Sequence, residues 1–551
     1  MTKTVEPSSS SILDGGPLRQ PDLTVLSAAL VRAAGRTGGG EIIYLDDDGA
    51  PHKQSYAELL DDAAHILRGM RTAGARVGDK VVLQIGTDPD LLATFWACVL
   101  GGFVPVPVTT SPPPHSPLSA AQLLAGVWGM LDNARVVTDR RIERGAAWTE
   151  AWLGTVEMLR AGPAATAYHH GAPDEPAALL LTSGSTGLPK AVALSHRNII
   201  SRSVASAQVR GLSATNRSFN WMPLDHVGGL IMFHVRDVLL GCHQVHARIG
   251  WVLADPLRWL DAISEYRCDT TWAPNFAFGL VVDRAQEMAS RSWNLSGLRY
   301  IMNGGEPITA RVARRFLSLL APFGLPSSAM HPGWGMSETS AGVVDCVFAV
   351  DAANDEDRFV PVGAPHPGVS LRVVDQNGEV RPQGVIGRLQ VSGLPVTSGY
   401  YANPEQNRQS FTTEGWFKTG DLAFIAGGML TVTGRADDVI EIDGVTYYGH
   451  EIEASIEELP FVEPSYTVAC QLRTEGGDHD GLAIFFHPRS GTPSDLENRA
   501  VVELAANRFG LQVTHVVPVP KEEVPKTGIG KRKRSQLLER LGRHGRRRLS
   551  S

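Results

Sequence analysis

The feature that most constrains the fold is an alternation of short apolar runs with longer amphipathic segments along most of the chain. Runs such as KVVLQIG, AALLLTS, CDTTWAP and LRYIMNGG are typical of buried strands. Segments such as SYAELLDDAAHILRGMRTAG and TARVARRFLSLLAPFG have the spacing of amphipathic helices. This alternation predicts an α/β fold with largely parallel sheets that are covered on both faces.

The pattern changes near Gly434, where short strands joined by Gly and Asn turns give way to a helical segment, HEIEASIEEL. A chain of 551 residues is long enough for more than one domain. We predict a flexible leader over residues 1–20, a large N-terminal domain over 21–436, a small α+β C-terminal domain over 437–535 and a basic tail over 536–551.

Composition and spacing argue against several classes of protein. The uncharged run over residues 91–108 is nearly long enough to span a bilayer, but Gly101, Gly102, Pro105 and Pro107 divide it. We therefore expect a buried helix followed by a buried strand, and no membrane partner. The five cysteines show no paired spacing, which argues against a disulfide framework or a structural zinc site and fits a reducing cytoplasm.

Charge and metal-ligating residues give weaker signals. The net charge is −7, yet residues 521–551 hold eleven Lys or Arg and only three Glu. A run of this kind is typical of a solvated tail, so no nucleic-acid partner is expected. Cys242, His243 and His246 carry metal-ligating groups, but no second ligand pair is near them in sequence, so we expect structural roles for them.

The stretch LLLTSGSTGLPKAVALSH, residues 179–196, predicts an anion site. Its Lys does not directly follow the last Gly, so it is not the common nucleotide-binding loop. A strand that ends in TSGSTG nevertheless presents backbone N–H groups and hydroxyls to one concave spot, which suits phosphate oxygens. From this stretch alone, an ordinary Gly/Ser loop is an equally good interpretation.

Five further motifs follow in order: NGGEP (303–307), GWGMSET (333–339), GWFKTGDLA (415–423), GRADD (434–438) and PKTGIGKRKR (525–534). With the opening loop, they resemble the adenylate-forming superfamily of acyl-CoA synthetases, luciferases and peptide-synthetase adenylation domains. The segments FWACVLGGFVPVPV, PLRWLDAISEYR, APNFAF and NGGEP are most similar to fatty acyl-AMP ligases and acyl-loading enzymes of polyketide and peptide assembly lines. The resemblance implies binding of ATP and Mg²⁺, and attack of a substrate carboxylate on the α-phosphorus of ATP with release of pyrophosphate.

The resemblance also implies catalytic roles for three residues. Lys531 matches the adenylation lysine, Glu338 matches the residue that helps to hold Mg²⁺, and His226 matches a histidine that lines the acid pocket. The implied ATP-binding residues are Thr182, Ser183, Gly184, Ser185, Thr186, Gly187, Lys190, Gly305, Glu306, Trp334, Gly335, Ser337, Asp421 and Arg435.

Three of these motif positions carry more specific expectations. Trp334 stands where the family usually has Tyr, so an aromatic face against adenine is kept while a phenol is lost. Asp421 matches the carboxylate that accepts both ribose hydroxyls. Asp437 matches the hinge about which the mobile small domain rotates between adenylation and thioester formation.

The acid pocket implied by the resemblance includes His226, Val227, Gly228 and Gly304. In relatives that activate amino acids, an Asp holds the substrate ammonium, and Val227 stands at the matching position. Because a buried ammonium without a partner is costly, we expect a carboxylic acid that is not an α-amino acid. Asp225, which replaces the Tyr of acyl-AMP ligases, leaves open a different register of this loop.

The expected acceptor is the phosphopantetheine thiol of a separate acyl or peptidyl carrier protein, which Arg532, Lys533, Arg534 and the run 546–548 would attract. Coenzyme A is the alternative, because the stretch from residue 339 to 363 lacks the extra segment associated with carrier-protein preference. A non-catalytic relative and a luciferase-like oxygenase are hypotheses of another class. The presence of the Lys, Glu and Asp named above favours a catalyst.

Overall fold

A computed structural model describes residues 10–112, 118–132, 134–140, 148–182, 189–351, 354, 357–442, 445–472, 481–526, 532–534 and 537. Its strands, in chain order, are β1 (Ile12–Asp14), β2 (Glu41–Leu45), β3 (Pro51–Ser55), β4 (Lys80–Gln84), β5 (Val104–Pro107), β6 (Arg135–Thr138), β7 (Trp152–Thr155), β8 (Pro176–Thr182), β9 (Lys190–Ser195), β10 (Arg217–Asn220), β11 (His243–Ala247), β12 (Thr270–Ala273), β13 (Tyr300–Gly304), β14 (Met330–Met336), β15 (Ala341–Asp345), β16 (Ala364–Pro365), β17 (Val369–Val374), β18 (Gly387–Gly393), β19 (Phe417–Ala426), β20 (Met429–Arg435), β21 (Val439–Ile442), β22 (Val445–Tyr448), β23 (Val462–Leu472), β24 (Gly481–Pro488) and β25 (Val513–Pro518).

The α-helices, in chain order, are α1 (Leu26–Ala34), α2 (Tyr56–Thr72), α3 (Asp88–Gly101), α4 (Ala120–Met130), α5 (Val156–Arg160), α6 (His196–Arg210), α7 (Arg236–Leu240), α8 (Ile249–Ala254), α9 (Leu257–Tyr266), α10 (Asn275–Val282), α11 (Ala285–Met288), α12 (Ala310–Leu320), α13 (Pro404–Ser410), α14 (Gly449–Ile456) and α15 (Asp495–Phe509). A π-helix, Gly228–Val235, leads directly into α7. None of the helices in these described segments has the length and hydropathy needed to cross a bilayer.

Two sheets dominate the first part of the chain. The larger has nine strands in the order β16-β15-β14-β13-β12-β10-β11-β2-β3, and its six central strands from β14 to β2 run parallel. The smaller has the order β5-β4-β6-β7 and is entirely parallel. The predicted α/β class is therefore confirmed. The pair β8-β9 and the sheet β1-β17-β18-β19-β20 are antiparallel, which the strand-like runs alone did not indicate.

The uncharged run at residues 91–108 shows why these elements form. Helix α3 begins with Asp88 and a proline at its first turn, buries every residue from Leu91 to Gly101, and ends at Gly102 in the left-handed region with φ of 70°. Strand β5 follows and is fully buried. The expected buried helix and buried strand are both confirmed.

The predicted leader needs a correction. Ile12–Asp14 pair antiparallel with Ser370–Arg372 of β17, so this stretch is an edge strand of the five-stranded sheet rather than a flexible segment. The Ser11 hydroxyl also donates to the carbonyl of Pro382 at 2.9 Å. These backbone and side-chain contacts anchor the chain before residue 20.

The last described part of the chain has its own core. Strands β21 to β25 with α14 and α15 bury an apolar cluster that includes Ile452, Ile484, Phe486 and Val501. We call this part the small unit and the preceding part the large unit; the boundary at residue 437 stays a prediction. Arg358 binds Glu451 of α14 through both carboxylate oxygens, and Arg311 Nη1 lies 3.3 Å from Glu458 Oε1 across the two units.

Candidate active site

A cavity of about 3060 Å³ lies between the large and small units. The ends of β8, β13, β14 and β19 reach it from the large unit, and residues around α14 reach it from the small unit. Its lining includes the following residues from the predicted site: Thr182, Lys190, His226, Val227, Gly228, Gly305, Glu306, Trp334, Gly335, Ser337, Glu338, Asp421, Arg435 and Asp437. Motifs that are far apart in the sequence thus converge on one space.

Glu338 provides a buried carboxylate in this cavity. It sits in a short 3-10 turn, Ser337–Thr339, directly after β14, and the Thr339 hydroxyl accepts from the Met336 N–H at 2.9 Å to fix that turn. Tyr400 donates its hydroxyl to Glu338 Oε1 at 2.7 Å. Burial raises the pKa of the Glu338 carboxyl, while the Tyr400 hydrogen bond and the charge of Lys190 lower it. The ionisation of the Glu338 carboxyl group therefore depends on Tyr400 and Lys190.

Lys190 lies on the other face of Tyr400. Its Nζ is 5.2 Å from the centroid of the Tyr400 ring, which is within the range of a cation–π contact. Lys190 begins β9 and pairs with Thr182 at the end of β8, so both residues border the loop predicted to hold phosphate. The loop residues Ser183, Gly184, Ser185, Thr186 and Gly187 lie outside the described residues.

Asp421 forms a second polar centre with Trp334 and Arg435. Trp334 Nε1 donates to Asp421 Oδ2 at 2.8 Å, and Arg435 Nη1 donates to Asp421 Oδ1 at 3.2 Å and to the Thr419 carbonyl at 3.0 Å. Burial opposes the charge on Arg435, but Asp421 outweighs it, so the pKa of the guanidinium is raised. The indole that replaces the usual phenol thus orients the very carboxylate that was predicted to accept ribose hydroxyls.

The predicted acid-pocket residues surround Trp272. The His226 ring stacks on the Trp272 ring with 6.1 Å between centroids and 11° between planes. His226 Nδ1 accepts from the Gly228 N–H at 3.1 Å, which places any ring proton of a neutral imidazole on Nε2. A Cβ at Gly228 would collide with Trp272, so only glycine permits this close packing. Val227 is buried and apolar.

The NGGEP motif lines the cavity next to these acid-pocket residues. A Cβ at Gly304 would lie 2.6 Å from the Gly333 carbonyl oxygen, so β13 and β14 approach each other closely here. Gly305 has φ of +88°, a conformation that favours glycine. Glu306 Oε1 accepts from the Phe276 N–H at 2.6 Å, which ties this loop to the first residues of α10. Glu306 therefore has a structural hydrogen bond in addition to its position at the cavity.

Lys531 lies outside the described residues, but the chain on both sides of it is described. Lys526 and Arg532 pair as an isolated antiparallel bridge, and Arg532 lines the cavity. The Lys526 Nζ lies 3.3 Å from the centroid of the Tyr466 ring, and burial, aided by Arg532, lowers its pKa to about 7.

Arg532 and Arg534 are engaged in ion pairs within the small unit, and the expectation that they attract a partner protein stays a prediction. Arg532 binds the buried Glu453 and Glu457 at 2.6 and 2.7 Å, and Arg534 binds Glu453 at 2.6 Å and Asp438 at 2.9 Å. Their charges are thus neutralised inside the small unit. The run at residues 546–548 lies outside the described residues.

Other predicted or alternative residues have structural partners. His246 contacts the side chains of Gln244 and Asn220 at 2.8 and 3.1 Å, and Cys242 donates to the Ser213 carbonyl. Among the residues with described positions, no group of three His, Cys, Asp or Glu could hold a metal ion. Burial raises the pKa of Asp225, whose carboxyl is hydrogen-bonded to Thr109.

Sequence reasoning missed Tyr400, Trp272 and Met302. Tyr400 is 62 residues from Glu338 in the chain, and a Tyr after a Ser-Gly turn is too common to identify a site. Trp272 and Met302 were inside predicted strands, where large apolar side chains are ordinary core residues. Gly228, Gly333 and Gly342 pack against these two side chains in the fold, but their positions in the sequence do not show which residues they contact.

Comparison with known proteins identifies the class. Residues 30–401 match the model of the AMP-binding enzyme family, so the chain belongs to that family, as its motifs predicted. Aspulvinone E synthetase melA of Aspergillus terreus is 32% identical in an alignment of 538 residues that covers 94% of this chain and 58% of that protein. The chain thus spans little more than half the length of the curated relatives it matches.

Two solved structures share the fold over nearly the whole chain. The McyG A-PCP structure, complexed with phenylalanyl-adenylate, is 37% identical with a TM-score of 0.90 and covers 96% of this chain and 97% of that one. A multidomain structure of a keto acid-selecting NRPS module is 36% identical with a TM-score of 0.90 and covers 97% of this chain and 47% of that one. This chain is therefore similar to adenylation domains of peptide-synthetase assembly lines.

Proposed function

We propose that the protein activates a carboxylic acid as an acyl adenylate with ATP, releases pyrophosphate, and transfers the acyl group to the phosphopantetheine thiol of a carrier protein. The observation that carries this proposal is the convergence of Glu338, Asp421, Arg435 and the His226–Trp272 pocket on one cavity. Membership of the AMP-binding enzyme family supports it.

The residues divide the work of the first half-reaction. Asp421, oriented by Trp334 and Arg435, accepts the ribose hydroxyls of ATP, and the indole face of Trp334 packs against adenine. Lys190 and Lys531 supply positive charge to the phosphates and to the transition state. A carboxylate is a preferred ligand of Mg²⁺, so Glu338 suits this ion, which neutralises phosphate charge when bound.

The acid has no α-ammonium in this proposal. Val227 supplies no charge at the predicted ammonium position, and the carboxyl of Asp225 is engaged with Thr109. An α-amino group would be desolvated beside Trp272 without a counter-ion. A 2-oxo acid is the substrate class we favour, and the similarity to a keto acid-selecting module supports it.

For the acceptor we favour a carrier protein over coenzyme A. The relative whose structure is described as an A-PCP complex supports this choice. The charges of Arg532 and Arg534 add little support for a carrier protein, because both side chains are engaged in ion pairs.

The test of activation is acid-dependent exchange of pyrophosphate into ATP with Mg²⁺, over a panel of 2-oxo, aryl, fatty and amino acids. We expect exchange with non-amino acids, and a loss of about 100-fold or more in Lys531→Ala, as for removal of a preorganised transition-state charge. ATP binding without exchange on any acid would favour a non-catalytic relative. Equal activity of Lys531→Ala would remove that residue from its proposed role.

The test of the acceptor is competition. The enzyme receives its acid, ATP, a carrier protein and coenzyme A together, and both acyl products are quantified. Acyl-coenzyme A without carrier loading, over several candidate carriers, would favour the coenzyme A alternative.

A further inference from the structure

Arg202 is a buried cation behind the acid pocket. It lies in α6 with 1% of its surface exposed. Its Nε donates to the Gly342 carbonyl at 3.0 Å and its Nη1 donates to the Met232 carbonyl at 3.4 Å. Both acceptor residues line the cavity, Gly342 from β15 and Met232 from the π-helix. Arg202 therefore joins two walls of the pocket.

The charge of Asp237, which pairs with Arg236, also acts on Arg202 but at longer range. Two other buried arginines nearby are paired, Arg236 with Asp237 at 2.7 Å and Arg210 with Asp345. Within the part of the chain that the structure describes, no Asp or Glu forms an ion pair with Arg202. Burial, with the repulsion of Arg236, lowers its pKa to about 10, so the guanidinium stays charged at neutral pH. A buried, unpaired cation is costly to keep unless it serves another purpose.

Arg202 Nη2 lies behind Gly342, a residue of the cavity lining. A Cβ placed on Gly342 would lie 3.8 Å from Arg202 Nη2 and would collide with the methyl group of Met302. The same methyl group would be 2.7 Å from a Cβ on Gly333. At both glycines the nearest atom to an added Cβ belongs to Met302, whose flexible thioether packs beside β14 and β15.

We propose that the substrate acid carries an oxygen acceptor at the end distant from its carboxylate, and that Arg202 binds this oxygen after Met302 moves aside. A phenolic hydroxyl and a second carboxylate share the required chemistry, since each accepts from a guanidinium. The proposal rests on the proposed function, because it concerns the same acid pocket. It adds a specificity-determining residue and narrows the substrate class.

The experiment compares matched acids that differ only in the terminal oxygen. One arm pairs 3-phenylpropanoic acid with its para-hydroxy derivative, and the other pairs heptanoic acid with heptanedioic acid, each tested also as the 2-oxo acid. The readout is kcat/KM for pyrophosphate exchange. We expect the wild type to favour the oxygen-bearing member of at least one pair by about tenfold or more, as for a charge-assisted hydrogen bond.

Two variants test whether Arg202 causes the preference. Arg202→Met removes the donors and should abolish it, while Arg202→Lys should retain part of it. Because Arg202→Met also frees two carbonyls and can unfold, Gly342→Ala serves as the second variant. Its added methyl would lie 3.8 Å from Arg202 Nη2 and against Met302, and the Gly342 carbonyl that accepts from Arg202 Nε is kept, so this variant should also abolish the preference.

The outcomes separate this proposal from the proposed function. Exchange with the oxygen-free acids at equal or higher efficiency overturns the role of Arg202 and leaves acid activation intact. A preference that persists in both Arg202→Met and Gly342→Ala also overturns it. No exchange with any acid, despite ATP binding, contradicts the proposed function itself.

Discussion

Replacing Tyr400 by Phe tests how the buried carboxylate of Glu338 is kept ionised. The change removes one hydroxyl that donates to Glu338 Oε1 at 2.7 Å and leaves the ring beside Lys190. Hydrogen bonds to charged groups contribute about 1.5–3 kcal/mol. Since 1.36 kcal/mol corresponds to one pKa unit, the loss should move the titration of Glu338 upward by about one to two pH units.

The sign follows from the direction of the existing effects. Burial already raises the pKa of Glu338, and Tyr400 opposes that effect, so Tyr400→Phe raises the pKa further. If ionised Glu338 holds Mg²⁺, the acidic limb of the rate profile shifts to higher pH, and the full rate returns above the new limb. At a pH on the wild-type limb, the variant should be about 10- to 100-fold slower.

The assay is the initial rate of pyrophosphate exchange across about pH 5.5 to 9, at saturating ATP and acid and at two Mg²⁺ concentrations. Tyr401→Phe is the matched control, because it removes a neighbouring phenol whose ring lies 5.1 Å from Lys80 Nζ rather than beside Glu338. A Tyr400→Phe profile that coincides with the wild type would refute the reasoning. A loss by the same factor at every pH would refute it as well, since it would assign Tyr400 a role independent of ionisation.

Three further predictions concern other parts of the molecule. Asp437→Pro, which fixes φ at the predicted hinge, should slow thioester formation more than adenylation, and an equal fall in both half-reactions would contradict the hinge role. Glu453→Gln leaves Arg532 and Arg534 without their shared buried partner and should destabilise the small unit by about 3–5 kcal/mol, measured by urea unfolding. These arginines lower the pKa of Glu453 to about 2. The stability that Glu453 contributes to the wild type is therefore present above its unfolded-state pKa and should be lost as the pH falls toward 2. The same acid transition in the variant and the wild type would disprove this. Asp421→Asn should raise the KM for ATP at least about tenfold, and an unchanged KM would exclude a ribose contact.

Local patterns predicted individual elements better than they predicted how those elements pair. The run KVVLQIG is β4 and the segment SYAELLDDAAHILRGMRTAG contains α2, because apolar spacing and a Ser55–Glu58 capping box act within a few residues. The run AALLLTS is indeed a strand, β8, yet it pairs antiparallel with β9 in a separate two-stranded sheet. Pairing depends on partners that a local pattern does not contain.

The residues of the candidate site also differ in whether the sequence alone could assign them. Glu338, Asp421 and Trp334 could be assigned from the sequence because each belongs to a short motif that resembles one of the family. The Tyr400 hydrogen bond and the approach of Arg202 to Gly342 depend on tertiary packing, and Arg202 is 140 residues from Gly342 in the chain. No spacing rule connects residues so distant. The burial that raises the pKa of Glu338 likewise exists only in the folded protein.

The contacts between the two units make the salt content of an assay buffer a kinetic variable. Arg358 and Arg311, whose side chains are 56% and 62% exposed, bridge to Glu451 and Glu458 across the cavity mouth. Exposed pairs contribute only about 0–1 kcal/mol each, and about 1 M salt shortens the Debye length to about 3 Å. If the small unit rotates at the predicted hinge, screening both pairs changes the equilibrium between its orientations by at most about 2 kcal/mol, and about 1.4 kcal/mol corresponds to a tenfold change. The rates of the two proposed half-reactions should therefore be compared at one ionic strength.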